Sequence, residues 1–310
     1  MRCGCGEGSG AVPGGASAVV VRYGTNLLFQ TACIWEATAR KIGNVHPFAD
    51  FAKTTHLDFL LSAAAAADYF NYKASHCVGL TVRLAVEATA VAVGQNTNLG
   101  ILLLIAPLAA VQRIVPLRDG LVSTLDALSQ EDTRLVYEAI RLANPGGLGG
   151  APEQDVRDEP TVTLLEAMSL AAERDMIARQ YANGFADVFD FGVPAFTAAF
   201  AKFGRVEAAI VDSQLRWLAA HPDSLIARKN GAAVAEDVQR RAQAALALGG
   251  LETPAGRAAG VALDRHLRSD GNRLNPGTTA DLITACLFVA LRENMVTPSA
   301  PFRWNVSDWL

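Results

Sequence analysis

Residues 95–108 read QNTNLGILLLIAPL. Gln, Asn and Thr lead straight into an apolar run that continues from Leu99 to Val111, 13 residues in all. A membrane-spanning helix needs about 18 or more apolar residues. The run is therefore read as a buried core helix, with Pro107 as the place for a kink. A helix that is apolar on every side must be surrounded by other elements. Residues 272–291, NRLNPGTTADLITACLFVAL, repeat the design. In both, small polar residues stand where the free N–H groups of a first helical turn need acceptors, which is N-capping. The same N–H groups and the helix dipole also suit an anion.

The surroundings are helical as well. Segments such as TNLLFQTACIWEATARKIG, with Gly43 as its closing cap, carry apolar residues along one side, and period-two alternation is scarce. LVSTLDALSQEDTRLVYEAIRLAN predicts two short helices split at SQED, and LLEAMSLAAERDMIARQYANGF predicts one helical stretch. Thr253-Pro254 reads as N-cap and first helical residue. The expectation is an all-α chain: a single compact multi-helix bundle of about a dozen helices over 19–296. A flexible Gly-rich tail is expected at 1–18 and a C-terminal tail at 297–310. The long loop from Pro145 to Thr163 is a candidate lid.

Of 310 residues, 51% are hydrophobic and 19% charged, enough for a well-filled core. A net charge of −4 gives no case for nucleic acid, which needs a basic face. No signal-peptide h-region and no span-length segment is present, so no membrane association is expected. Five cysteines, an odd and sparse set, point to reduced thiols and a cytoplasmic setting. The Cys3-x-Cys5 pair has no partner pair for zinc. A homodimer is the default expectation for so apolar a chain.

Four loops concentrate Asn, Asp, His, Lys and Arg: residues 40–59, 95–100, 221–231 and 274–282. Each has a purely structural reading, such as Asp223-Ser224 as an N-cap. Asp175 and Arg179, four apart, predict a surface ion pair. There is no P-loop, no H-E-x-x-H and no G-x-S-x-G. The Gly-rich stretches follow no strand, so a dinucleotide fold is not expected.

With these residues in view, the chain resembles the triphosphoribosyl-dephospho-CoA synthase family from about residue 26 to 292. The matching turns are KIGNV at 41–45, HLD at 56–58, NTNLG at 96–100, DSLIARKNG at 223–231 and LNPGTTADL at 274–282. Departures are Ile42 for the usual proline, DSL where DTN is common, and RKNG where RGG is common. The resemblance implies a helical enzyme in which a hydroxyl of 3′-dephospho-CoA attacks the ribose C1′ of ATP, adenine leaves, and the 5-triphosphoribosyl group is transferred.

Such a reaction builds oxocarbenium character, which a carboxylate stabilises, and it needs a base for the acceptor's proton. The triphosphate needs Mg²⁺ and cations. On this basis Asp58 and Asp223 are expected as metal ligands or base, with His56 beside them. Asp281 is expected to hold its turn or touch metal. Glu36 is expected as an acid or as a partner of Arg40. Lys41, Arg228 and Lys229 are expected to face phosphates. Asn44, Asn96, Thr97, Asn98, Asn275, Gly277, Thr278 and Thr279 are expected to line the nucleotide. The alternatives are the same transfer onto a methanopterin-type cofactor precursor, nucleotide N-glycoside hydrolysis, and non-catalytic helical nucleotide binding.

Overall fold

A computed structural model describes residues 23–70, 77–146, 150 and 153–310. The expected tail at 1–18, with Cys3 and Cys5, lies outside the described residues, as does part of the loop after Pro145. Among the described residues there are fourteen α-helices and no strand. In chain order they are α1 (Thr25–Thr38), α2 (His56–Ala67), α3 (Val78–Val93), α4 (Leu99–Ala110), α5 (Leu117–Asp126), α6 (Gln130–Ala143) and α7 (Leu164–Ala171). Then follow α8 (Met176–Ala182), α9 (Val193–Phe203), α10 (Val206–Ala220), α11 (Ser224–Asn230), α12 (Ala232–Ala247), α13 (Pro254–Arg268) and α14 (Gly277–Arg292). None of the described helices is long and apolar enough to cross a membrane.

The two quoted runs are the central helices. Every residue of α4 but Ala110 is buried, and α14 is buried without a break from Leu282 to Arg292. They pack against each other, and α1 also lies on α14. This makes one large apolar cluster, with Phe29, Leu102, Leu104, Tyr181 and Phe288 in its middle. A smaller cluster joins Ile42, α10, α12 and α13. Pro107 sits inside α4 without ending it. Past it the buried Arg292 donates to the carbonyls of Leu108, Val111 and Gln112, which the end of a helix leaves open.

Several boundaries follow their caps. Ser129 and Thr163 form capping boxes with Asp132 and Glu166, and Thr253 accepts from the Gly256 N–H ahead of Pro254. Three expectations are corrected. α1 ends at Thr38, not at Gly43, because Arg40 and Lys41 turn inward to buried partners. The stretch 164–185 is two helices, broken where Asp175 caps α8. The segment 297–310 is no free tail: Trp304 and Trp309 are buried in the smaller cluster, and the Arg40 guanidinium donates to the carbonyls of Trp304, Trp309 and Leu310.

Candidate functional site

Four of the five sequence turns, those at 41–45, 96–100, 223–231 and 274–282, meet around one cavity of about 800 Å³. The turn at 41–45 is fastened from both sides. Gln214 holds the backbone N–H and carbonyl of Ile42, each at 2.8 Å, and the Asn44 side chain at 2.6 Å. Asp264 accepts from the Gly43 N–H at 2.7 Å, and Arg268 donates to the Asn44 carbonyl at 2.5 Å. Gly43 has φ +72°, which this turn requires of its residue. Asn44 then donates to Asn275 Oδ1 at 2.6 Å, tying this turn to the one before α14.

Asp223 ties that turn to the next. Its Oδ1 accepts from the N–H groups of Leu225 and Ile226 at 2.9 and 3.0 Å, capping α11. Its Oδ2 accepts from the Thr279 N–H and Oγ1, both at 2.8 Å. The anion expected at the start of α14 is thus the protein's own carboxylate. Burial pushes Asp223 above the ordinary carboxylate range, against the pull of these donors. With both oxygens engaged twice and no lining of the cavity, Asp223 is placed as a clamp between two helix starts, not as a metal ligand or base.

Asp58 likewise sits behind the cavity wall. It forms a capping box with Thr55 and accepts from Gln95 Nε2 at 3.2 Å. His56 lies 3.3 Å from Thr38 Oγ1 and does not line the cavity either. At the start of α4, Asn96 Oδ1 caps the Leu99 N–H at 3.1 Å, Thr97 meets Ser62 at 2.5 Å, and Asn98 Nδ2 donates to Thr89 at 2.9 Å. Asn96, Thr97 and Asn98 all line the cavity, as do Asn275, Gly277 and Thr278, whereas Thr279 is turned away to Asp223.

The carboxylates that face the cavity are others. Glu36 is buried and pairs with Lys41 at 3.0 Å, not with Arg40, which is paired with Glu207 at 2.7 Å. Lys41 also donates to the Glu36 carbonyl at 2.6 Å and towards the Val45 carbonyl at 3.4 Å. Its three N–H groups therefore have protein partners, although Lys41 also stands on the cavity lining. Burial raises Glu36 and lowers Lys41, each opposed by the other's charge.

Asp281 receives no hydrogen bond among the described residues. Burial raises it well above the ordinary carboxylate range; the charges of Glu36 and Asp223 add to this and Arg228 opposes it. A Cβ on Gly100 would lie 2.1 Å from Asp281 Oδ2, so only glycine lets α4 pass this carboxylate.

Cations stand opposite. Arg228 pairs with Asp175 and keeps a buried Nε without a partner. Lys229 and Arg174 also line the cavity. The expected Asp175–Arg179 pair is replaced by these links: Arg179 binds Asp187 at 3.0 Å instead. Sequence reasoning placed neither Arg174 nor Tyr137 and Glu153 in the site. They come from α6, the turn between α7 and α8, and the long loop, whose acid-rich composition was the signal for Glu153.

The loop's described part is pinned along α6. Gln130, Thr133, Tyr137 and Arg141 donate to the carbonyls of Pro160, Val162, Gln154 and Val156, at 2.7, 2.9, 2.6 and 2.5 Å. A wall, not a free lid, is what these bonds describe.

No group of three or more His, Cys, Asp or Glu side chains among the described residues is arranged to hold a metal. The donor-free Asp281 beside Glu36 nonetheless suits a hard divalent cation that draws its other ligands from phosphates and water, the usual mode of Mg²⁺.

A polar, acid-and-cation-lined pocket in an all-helical body is what a phosphorylated ligand needs. Residues 24–298 match the family model described as ATP:dephospho-CoA triphosphoribosyl transferase. The chain belongs to that family.

Its relatives include 2-(5″-triphosphoribosyl)-3′-dephosphocoenzyme-A synthases of Pseudomonas putida, 35% identical over 36% of this chain and 40% of that protein, and of Pseudomonas savastanoi pv. phaseolicola, 34% identical over 37% and 39%. The matched stretch thus spans about two fifths of each relative's length. A solved structure of a triphosphoribosyl-dephospho-CoA synthase from Archaeoglobus fulgidus is similar with a TM-score of 0.60 and 27% identity, over 76% of this chain and 100% of that one.

Proposed function

We propose that this chain transfers the 5-triphosphoribosyl group of ATP to a hydroxyl of 3′-dephospho-CoA and releases adenine. The observation that carries the reading is the meeting of Glu36, Asp281, Arg228 and the Asn-rich start of α4 in one cavity, in a member of this family. The acceptor O–C1′ bond forms as the C1′–N9 bond breaks; the bonding pair leaves with adenine, which takes up a proton, and the triphosphate stays on the ribose.

Glu36 and Asp281 face the space where the ribose would lie. One carboxylate opposite C1′ stabilises the positive charge that develops there, and the other takes the acceptor's proton. Burial raises both above the free carboxylate value, which makes each a stronger proton acceptor. Lys41 acts through Glu36, holding its orientation. Arg228 and Lys229 balance the phosphates. Mg²⁺ arriving with ATP would neutralise the triphosphate, with Asp281 as its protein ligand. The buried free thiols Cys33 and Cys286 suit a reducing compartment such as the cytoplasm.

Incubation with ATP, Mg²⁺ and dephospho-CoA tests this directly. Free adenine and a product heavier than dephospho-CoA by the triphosphoribosyl group are expected, and both should vanish with Glu36→Gln or Asp281→Asn. Adenine release that is indifferent to the acceptor would instead indicate hydrolysis and overturn the proposal.

A further inference from the structure

The cavity has two unlike walls, and the proposed chemistry uses only one. Glu36 of α1, Asp281 and Thr278 of α14, and Arg228 of α11 make the polar wall. Val86 of α3, Ile140 of α6, and Leu164 and Met168 of α7 make an apolar one. Helix α4 packs against α3 and against α14, so its first turns, Leu99 to Leu103, bridge the two. At the mouth, Leu142 and Leu170 line the cavity while 43% and 52% exposed. Exposed leucines that rim a cavity mark a surface awaiting an apolar ligand part.

We propose that the α3–α6–α7 wall seats the pantetheine arm of the acceptor and so selects the acceptor, an inference that rests on the transfer reading above. The donor does not fit there: a triphosphate and a ribose need charge and hydrogen bonds, and this wall's polar groups, Thr89 and Tyr137, are already engaged with Asn98 and Gln154. The acceptor joins a nucleotide to a long arm of methylenes, a gem-dimethyl group and two amides. Its hydroxyl must reach the ribose C1′ near Glu36 and Asp281, so its nucleotide end sits at the polar wall. The arm then has to leave past the bridge of α4. Over that direction Tyr137 and Arg141 hold Gln154 and Val156 along α6. An apolar wall braced in this way has less to order on binding. Arg174, on the same cavity lining, suits the pyrophosphate that links nucleotide and arm.

The test narrows the channel at Ala167, a partly exposed residue of α7 on the lining. In Ala167→Phe the KM for dephospho-CoA should rise at least tenfold while that for ATP changes less than twofold. Pantetheine alone should inhibit the unaltered protein competitively against dephospho-CoA and not against ATP. Leu170→Gln, exposed and so harmless to folding, should give a smaller rise in the same constant. A second readout needs no turnover: the rise in melting temperature caused by dephospho-CoA should be lost in Ala167→Phe.

A rise in the KM for ATP instead, or an unchanged dephospho-CoA shift in a folded Ala167→Phe, overturns the arm site. If the unaltered protein releases no adenine but Ala167→Phe still abolishes the dephospho-CoA shift, the transfer reading falls and the arm site stands.

Discussion

Replacing Asp223 by Ala separates clamp from catalyst. Its carboxylate takes two bonds from the start of α11 and two from Thr279 at the start of α14. Losing a helix cap costs about 0.5–2 kcal/mol, and a buried donor left without a partner costs roughly 1–3 kcal/mol. These figures describe overlapping bonds, so the two caps together give about 1–4 kcal/mol for Asp223→Ala. Asn keeps one acceptor oxygen and turns its NH₂ towards two donors, so Asp223→Asn should lose more than half of that. At about 2 °C per kcal/mol for a protein of this size, the melting temperature should fall by roughly 2–8 °C in Asp223→Ala. Urea unfolding gives the free energy, and adenine release is measured well below both melting temperatures. Activity should survive in part under those conditions. An Asp223→Ala protein that melts like the parent yet is dead would refute the clamp and return Asp223 to the chemistry.

Three further outcomes are expected. Gly100→Ala drives a methyl into the Asp281 carboxylate; helix propensity gains up to about 1 kcal/mol, so adenine release should fall tenfold or more while the melting temperature shifts little, and retained activity would show that Asp281 can move without consequence. Asp281→Asn should abolish transfer and stabilise the ligand-free protein at pH 8. With its folded-state pKa raised above about 3.9, Asp281 binds a proton more readily when folded, so the parent loses stability as pH rises through that window; the two melting curves should converge near pH 4, and parallel curves would argue against the raised carboxylate. Trp309→Ala removes a buried indole that donates to the Arg40 carbonyl at 3.0 Å and packs 5.8 Å from Trp304; a loss of about 3–5 kcal/mol in urea unfolding is expected.

What could be read in advance was local. Uninterrupted apolar runs announced α4 and α14, because a helix with no polar face can only be central. Caps at Ser129 and Thr253 announced their helices, because the donor and acceptor lie within a turn of each other. Partners far apart in the chain could not be read. Glu36 looks like a mate for Arg40, yet Arg40 finds Glu207, 167 residues away, and leaves Glu36 to Lys41. The break between α7 and α8 depends on Asp175, which both caps α8 and pairs with Arg228 from another helix.

The same limit explains which carboxylates carried the chemical expectation. Asp58, Asp223 and Asp281 look alike in a sequence, each near a helix start with Asn or Thr at hand. They differ in what has filled their lone pairs. Asp58 holds Thr55 and Gln95, and Asp223 holds four donors. Those bonds hold the turns together. Asp281 has none among the described residues, although it is pressed against Gly100 in a site that raises its pKa. A half-buried carboxylate that receives no donor from the described residues is costlier to keep than a Leu or Asn would be. A cation or a positively charged transition state in the cavity offsets that cost. The stability gained by Asp281→Asn and the activity it loses should therefore come from the same missing charge.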